Sequence, residues 1–280
     1  MKNNENNFEK EIFKNASKTY FNSSLFFPKE KKQSVFELYS FVRLADDFVD
    51  SVPQNTKAFN LLKLKYQKKL ADSPDKNINR VLKNIYKLQK KYPITDADVD
   101  SFLKSMSMDL TNKNYNSMED TLEYIYGSAE VIGLMMAKIL GLETESYNYA
   151  CYQGRAMQYI NFIRDIKEDI KLGRCYFPEI IRKKFEINSW NDDIKNNKQF
   201  DQFVQAQIEQ YLEWQSEAQK GWKYIPYRSR IAVMTASDGY LWTARQIRKN
   251  PKIVFDHKVK PSKSQIILFG LKNSIKGLIY

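Results

Sequence analysis

Three polar residues at intervals of four, Asn161, Asp165 and Asp169, lie in the stretch NFIRDIKED. Residues four apart lie on one face of a helix, so these side chains would form a single stripe. Arg164 is expected to point away from this face, which leaves the two carboxylates without a counter-ion in their own stripe. The stripe is therefore either a solvated charged face or one wall of a cation-binding site.

A second acidic run, LYSFVRLADDFVD, lies about 115 residues upstream, and its Tyr39, Arg43, Asp46 and Asp50 share one helix face. The later stripe extends back to Gln158. Two carboxylate stripes that face each other across a helical cavity would hold Mg²⁺, which takes oxygen ligands from carboxylates, waters and substrate phosphates. Such a site would ionise a diphosphate substrate by stabilising the departing diphosphate. This chemistry requires no histidine, cysteine or glycine-rich loop.

The elements that must position these acids are helices. Apolar residues recur at helical spacing along most of the chain, strand alternation is nearly absent, and no repeat or long linker divides the sequence. One helix is predicted to run without a break from SYNYACYQ through to Gly173, a C-cap candidate. We predict a single all-α domain over residues 1–280, with 1–15 as a flexible N-terminus and 263–280 as an amphipathic C-terminal segment.

The bulk composition limits the partners and the kinds of metal site. The 280-residue chain carries a formal net charge of +12, which predicts attraction to anions. Its lysines are scattered rather than clustered with aromatic residues, so nucleic acid is not an expected partner. Two cysteines without paired spacing and a single histidine argue against disulfides and against zinc sites of the Cys or His type. No signal peptide or membrane span is recognisable, which predicts a cytoplasmic location, free or peripheral on the inner face of the membrane.

The motifs together resemble those of the squalene/phytoene synthase family, the head-to-head isoprenyl diphosphate condensing enzymes. The two main motifs are DDFVD after LYSFVR, and RDIKEDIKLGRCYFP preceded by QYIN. Weaker support comes from SKTYF, MDL, YIYGSAEVIGLMM and GYLWTARQIRKN. The resemblance runs from about Ser17 to Lys258, and it implies an isoprenoid-synthase-type helical bundle around a central cavity.

The resemblance also implies roles for particular residues. Asp46, Asp50, Asp165 and Asp169, with Asn161, would bind magnesium, or manganese as the alternative, and these four acids with Tyr240 would be the catalytic set. The residues that match substrate-binding positions are Lys18, Tyr20, Tyr39, Arg43, Tyr124, Gln158, Asn161, Arg164, Arg174 and Lys258. The family often has Phe at the position of Tyr20. It usually has Arg near Lys258, whose ammonium group cannot reproduce the bidentate guanidinium contact.

The reaction that the resemblance implies joins two allylic diphosphates through a cyclopropylcarbinyl diphosphate. The segments MDL and GLMMAKILG look most like those of bacterial phytoene synthases, which favours two geranylgeranyl diphosphates and a phytoene product. The alternative is two farnesyl diphosphates giving squalene, dehydrosqualene or hydroxysqualene. No glycine-rich dinucleotide motif is recognisable, so NADPH is not expected. A non-catalytic assembly factor is disfavoured, because relatives of that kind have lost the acids that are intact in this chain.

The C-terminal segment SQIILFGLKNSIKGLIY has its own amphipathic pattern. On a helix, Ile267, Leu271, Ile275 and Leu278 form one apolar face. The segment is too short and too charged to span a bilayer. It is either a terminal helix docked on the core or an interfacial anchor through which a water-insoluble product leaves into lipid.

Overall fold

The computed structural model describes residues 8–12, 18–24 and 26–278, and for residues 18–20 the backbone alone. Throughout this part of the chain the regular structure is helical, with no strand, so the predicted all-α class is confirmed. No helix within these ranges combines the length and the apolar character that crossing a membrane would require.

Fourteen helices are labelled here in chain order. The first seven are α1 (Lys18–Ser24), α2 (Lys29–Asp50), α3 (Thr56–Gln67), α4 (Lys76–Lys91), α5 (Asp96–Thr111), α6 (Met118–Ile125) and α7 (Val131–Leu140). The other seven are α8 (Tyr147–Arg164), α9 (Ile166–Lys171), α10 (Glu179–Lys184), α11 (Phe200–Lys220), α12 (Tyr227–Lys249), α13 (Ile253–Asp256) and α14 (Lys263–Lys276). Residues 8–12 are also helical, and a π-helical turn, Tyr126–Glu130, joins α6 to α7.

Local side-chain chemistry fixes several helix ends. Thr95 caps α5, because its hydroxyl accepts from Asp98 N while the Asp98 carboxylate accepts from Thr95 N. The same reciprocal cap begins α6 at Ser117 and α14 at Ser262. Gly141 ends α7 in the left-handed region at φ 76°, where a residue without Cβ is favoured.

Two clusters of buried apolar side chains fill the interior. One cluster contains side chains of α2, α3, α4, α5 and α7, among them the large buried residues Phe41, Phe59 and Phe102. The other is rich in aromatic residues and joins α8, α11 and α12, with Tyr159 and Phe203 fully buried. A central cavity is lined by residues of both clusters, so each cluster forms part of its wall.

Two glycines allow the cavity-wall helices α7 and α8 to approach closely. A Cβ at Gly133 would overlap the carbonyl oxygen of Ala150, and a Cβ at Gly154 would overlap that of Ala129. Gly133 of α7 thus faces α8, and Gly154 of α8 faces the π-helical turn that leads into α7. Because the obstructing atoms are backbone oxygens, neither position can accept a side chain without separating the helices.

The structure corrects one expectation about helix boundaries. The predicted continuous helix through Gly173 is broken at Asp165, where the backbone turns to φ −100° and ψ 16° before α9 begins. Residues 8–12, which belong to the N-terminal segment 1–15, are helical. Within them, the buried Glu9 accepts hydrogen bonds of 2.7 and 2.9 Å from Arg80. This ion pair, in which Glu9 is buried and Arg80 is partly exposed, links the segment to α4, and the rest of residues 1–15 lies outside the described part.

Helix α14 is docked on the core, but not by its most apolar face. Ile266, Gly270 and Asn273 are buried, and Asn273 Nδ2 donates to Asp238 Oδ2 at 2.8 Å. The predicted apolar face instead points to solvent, with exposed fractions of 60% at Leu271 and 73% at Ile275. Helix α14 is therefore docked on the core and still presents apolar side chains to solvent, as an interfacial anchor would.

Candidate active site

The carboxylates of α2 lie at the mouth of the central cavity. Arg43 pairs with two of them. Its Nη1 donates to Asp46 Oδ2 at 2.7 Å, and its Nη2 lies 2.5 Å from Asp47 Oδ1. Asp46 and Asp50 both line the cavity. Burial raises the pKa of the Asp46 carboxyl to about 8, and the charge of Asp50 adds to the effect. A cation bound nearby would therefore stabilise the ionised form of Asp46.

The second acidic pair lies where α8 ends and α9 begins. Arg164 folds back onto the adjacent Asp165, with Nε and Nη2 at 2.7 and 2.5 Å from its two oxygens. Lys258 Nζ lies 3.0 Å from the same carboxylate. Burial raises the pKa of the Asp165 carboxyl, but Arg164 and Lys258 outweigh it and the net shift is downward. The expectation that Arg164 points away from the stripe is therefore wrong, because the helix break places its guanidinium beside Asp165.

The two acidic pairs influence each other across the cavity. Burial raises the pKa of the Asp169 carboxyl well above its usual range, and the charges of Asp165 and Asp50 raise it further. Asp169 itself forms no ion pair within the described residues. On the opposite side, Arg174 Nη1 donates to Asp50 Oδ1 at 2.6 Å. The carboxylates of α2 and of the α8–α9 junction thus border the same cavity.

These residues offer the donor set of a hard divalent cation. Every candidate ligand supplies oxygen, and Asn161 Oδ1 is buried without a hydrogen-bond partner. Within the described ranges, no three His, Cys, Asp or Glu side chains are close enough to hold a metal by themselves. A magnesium site completed by waters and substrate phosphates fits this arrangement, because it needs only one or two carboxylates per ion.

Asp109 is a residue of this site that the sequence analysis missed, although it stands in the quoted segment MDL. It is 2% exposed, and its two carboxylate oxygens accept hydrogen bonds of 2.8 Å from Tyr124 and Tyr176. Burial raises the pKa of its carboxyl to about 6, although Arg174 opposes the shift. A lone aspartate on a helix face gives no signal of function. The hydrogen-bond donors to Asp109 belong to α6 and to the segment after α9.

Beyond the acids, the cavity is mainly apolar. Its volume is about 520 Å³. The side chains farther from the acids along the lining helices include Phe27, Leu38, Met106, Ile132, Met136, Leu142, Met157, Trp222 and Ile225. An elongated apolar chamber with anionic and cationic groups at one end suits an amphiphile with a charged head and a long hydrocarbon tail.

Nearly all the predicted site residues border this cavity. Those that line it are Tyr39, Arg43, Asp46, Asp50, Tyr124, Gln158, Asn161, Arg164, Asp165, Asp169, Arg174, Tyr240 and Lys258. Lys18 and Tyr20 belong to α1, but their side chains lie outside the described residues. Glu168 and Lys260 also line the cavity and were not predicted, since both read as ordinary surface charges in the sequence.

Comparison with known proteins places the chain among related sequences and folds. The 15-cis-phytoene synthase of Pantoea ananas is 28% identical over 236 residues, covering 80% of this chain and 76% of the relative. That of Synechococcus elongatus is 24% identical over 266 residues, covering 88% and 84%. The sequence identity is spread over most of the chain, rather than confined to the two acidic motifs.

Solved structures share the fold. A dehydrosqualene synthase with a bound ligand matches with a TM-score of 0.79 at 21% identity, covering 99% of this chain and 98% of that one. A squalene synthase from Alicyclobacillus acidocaldarius matches with a TM-score of 0.73 at 18% identity, covering 88% and 94%. The helical architecture is therefore that of isoprenoid synthases.

A model of the squalene/phytoene synthase family matches residues 13–265, which is nearly the whole chain and includes both acidic motifs. This match agrees with the all-helical fold and with the cavity that gathers the two acidic motifs. The chain belongs to the squalene/phytoene synthase family.

Proposed function

We propose that this protein condenses two geranylgeranyl diphosphates head to head, through a cyclopropylcarbinyl diphosphate, to phytoene. The observation that carries the proposal is the cavity itself, in which two pairs of carboxylates and several cations border one end of a mainly apolar chamber. The named function of the Pantoea ananas and Synechococcus elongatus relatives supports the C20 substrate.

Magnesium would be held by Asp46, Asp50, Asp165 and Asp169, with the unpartnered Asn161 Oδ1 as a further oxygen. When bound, this metal would neutralise charge on the departing diphosphate and so favour its loss. The charge of Asp50 helps to raise the pKa of Asp46 and, together with that of Asp165, the pKa of Asp169, so a bound cation would relieve this repulsion.

The protein's own cations would bind the diphosphate groups. Arg43, Arg164, Arg174 and Lys258 all line the acidic end of the cavity. Guanidinium groups match phosphate oxygens with paired N–H donors, which fixes the orientation of the head group as well as its position. The hydrocarbon tails would then extend along the apolar wall, where the flexible Met136 and Met157 adapt to their shape.

The chemistry divides into two half-reactions, each of which releases one diphosphate and one proton. In the first, ionised C1 of one substrate is attacked by the double bond of the other, and proton loss closes the cyclopropane. In the second, the cyclopropylcarbinyl diphosphate ionises and rearranges, and proton loss gives the central double bond. The aromatic rings of Tyr240 and Phe162 line the cavity and would stabilise the cationic stages through their faces.

We further propose that α14 contacts the membrane surface. Its solvent-facing side is apolar, with Leu268 62% and Ile275 73% exposed. Tyr227, which is 40% exposed, donates to Ser274 O at 2.6 Å and extends this surface. Apolar side chains and an interfacial tyrosine on a helix that lies flat on the protein are typical of monotopic attachment.

Charge near α14 favours an anionic lipid surface. Arg228, next to Tyr227, lies close to Lys32, whose pKa is lowered by burial and then by the charges of Arg228, Lys10 and Lys29. The cavity also reaches this region, because Trp222 and Ile225 line it just before Tyr227 in the chain. Lipid held against α14 would thus lie near the apolar part of the cavity, where a water-insoluble product would leave.

The test of the proposed reaction is product analysis by mass spectrometry. The pure protein is incubated with magnesium and geranylgeranyl diphosphate, with and without NADPH, and in parallel with farnesyl diphosphate. Phytoene from the C20 substrate, without a gain from NADPH, is the expected result. Squalene made from the C15 substrate with NADPH, while the C20 substrate is ignored, would overturn the proposed product.

A further inference from the structure

A second cavity, of about 390 Å³, lies on the other side of Arg174 from the central one. Its lining is almost entirely polar and comes from the α5–α6 connection, the α9–α10 connection, α10 and the segment after it. The residues that line it are Asn114, Gly173, Arg174, Glu179, Arg182, Asn188 and Trp190. Among these residues, only Arg174 matches a site position of the family motifs.

Arg182 is the notable residue of this second cavity. It is only 6% exposed, and the hydrogen bond that it makes within the described residues runs from Nε to Phe177 O at 3.3 Å. Its guanidinium carbon lies 5.8 Å from the centre of the Trp190 ring. No carboxylate lies within 4 Å of Arg182 in the described part of the chain. Glu179 senses the charge of Arg182 but lies outside ion-pair distance, so a bound anion would offset much of the cost of burying this cation.

The surrounding groups favour an anion over a cation. The one carboxylate of the lining, Glu179, is already paired with Lys183 at 2.5 Å. Trp190 Nε1 and Arg174 Nε are buried donors without acceptors beside the same cavity. Asn114 and Asn188 add amide donors to the lining. The cavity therefore combines two buried guanidinium groups with neutral donors, and its single acid is neutralised by a neighbour.

Arg174 connects this cavity to the candidate active site, because it lines both. A diphosphate released beside Arg174 could therefore pass to Arg182 with one guanidinium shared between the two positions. We propose that the cavity around Arg182 is a second anion site, which takes phosphate-type anions and receives inorganic diphosphate on its way out. The exit role rests on the proposed function, whereas anion binding by the cavity does not.

Anion binding is tested on the full chain without prenyl substrate. The protein has four tryptophans, so a ¹H–¹⁵N spectrum of labelled indoles has few signals, and Trp190→Phe assigns that of Trp190. Inorganic diphosphate and inorganic phosphate are titrated separately. We expect a saturable shift of the Trp190 signal with both anions. Trp222, which lines the central cavity, reports on binding there.

The variant Arg182→Gln should weaken the anion affinity measured at Trp190 by about tenfold or more, because a charge-assisted contact is removed. Arg182→Lys keeps the positive charge and should therefore lose less of the anion affinity. The matched control is Arg248→Gln, an arginine that is half exposed and pairs with Glu209. Melting temperatures and the other indole signals establish that each variant is folded. An unmoved Trp190 signal, or identical titrations of wild type and Arg182→Gln, would overturn the anion site.

The exit role is tested by kinetics with the prenyl substrate. If diphosphate leaves through this cavity, Arg182→Gln should slow steady-state diphosphate release severalfold while leaving the first turnover unchanged. An equal loss in the first turnover, or no loss in either phase, would refute the exit role. A wild-type protein that turns over no prenyl substrate would refute the proposed function, while the indole titration would still decide the anion site.

Discussion

Arg174 and Asp50 are 124 residues apart in the chain, yet Arg174 Nη1 donates to Asp50 Oδ1 at 2.6 Å. Arg174 Nη2 donates to Val49 O at 2.7 Å and to Asp109 O at 3.2 Å. One buried guanidinium thus ties the segment after α9 to the C-terminal end of α2 and to α5. The pairing fixes the distance between the two acidic motifs.

Arg174→Lys should therefore impair both stability and activity. A lysine cannot serve Asp50 and two carbonyl oxygens at once, so buried acceptors lose their donors at a cost of about 1–3 kcal/mol. We expect a lower free energy of unfolding in denaturant melts and diphosphate release slowed by about tenfold or more. Arg248→Lys, at the half-exposed pair with Glu209, is the control. A variant with unchanged stability and rate would show that the pairing is dispensable.

Asp46→Asn and Asp165→Asn should each nearly abolish magnesium-dependent diphosphate release. Each change removes one negative charge from a different helix of the proposed metal site, while the amide keeps the size of the side chain. Circular dichroism should show unchanged helix content. Asp72→Asn, at an exposed pair with Lys65, is the matched control and should retain full activity. Near-normal turnover in either site variant would exclude the two-helix metal site.

Asp109 should give the protein a measurable pH dependence of stability. Its pKa is raised to about 6 by burial, above the usual value of 3.8, so the folded state binds the proton more tightly than the unfolded state. Its contribution is fully present below the unfolded pKa and is lost as the pH rises through about 6. Urea melts of wild type and Asp109→Asn between pH 4 and 7 measure the difference. A difference that is independent of pH would contradict the assignment.

The exposed face of α14 should be needed for lipid binding but not for folding. Changing Leu268, Leu271 and Ile275 together to Gln should reduce co-sedimentation with anionic vesicles by about tenfold or more, with an unchanged melting temperature. The control changes three exposed apolar residues elsewhere, Val52, Leu64 and Leu70, to Gln. Equal sedimentation of both variants would mean that α14 has no special role at the membrane.

Lys258→Arg should act on the second half-reaction. The lysine ammonium lies 3.0 Å from Asp165 and 3.8 Å from Glu168, and an arginine there could contact a carboxylate and a diphosphate together. We expect the first half-reaction to be unchanged and the cyclopropyl intermediate to be consumed faster, as measured by rapid quench and mass spectrometry. Lys260→Arg is the control, since Lys260 also lines the cavity. An unchanged ratio of intermediate to product would refute the prediction.

The helices and the two acidic faces could be predicted from the sequence because helical periodicity is local. Asp46 and Asp50 share a face by spacing alone, and Thr95 caps its helix through a residue three positions away. These features need no knowledge of the rest of the fold. The meeting of the two acidic pairs required the family resemblance, since periodicity alone leaves a surface face and a cavity wall equally open.

Features made by distant contacts could not be predicted in this way. Asp109 is a site residue because Tyr124 and Tyr176 converge on it, and Arg182 lines a polar cavity whose walls come from distant parts of the chain. Helix α14 docks through Gly270, against which the ring of Phe26 packs so closely that a Cβ there would require the ring to shift. The most apolar face of α14 was the obvious choice for burial, but shape complementarity at a glycine decided its orientation.

The close packing at one glycine of α7 and one of α8 limits how the cavity wall can change. Because backbone oxygens block any side chain at Gly133 and Gly154, this strip of wall cannot be narrowed by ordinary substitution. For the prenyl chains of the proposed function, the room in the cavity would instead be set by neighbours with flexible side chains, such as Met136 and Met157. The close packing at Gly133 and Gly154 therefore keeps α8, which ends at the second acidic motif, in place while flexible lining side chains around it can change.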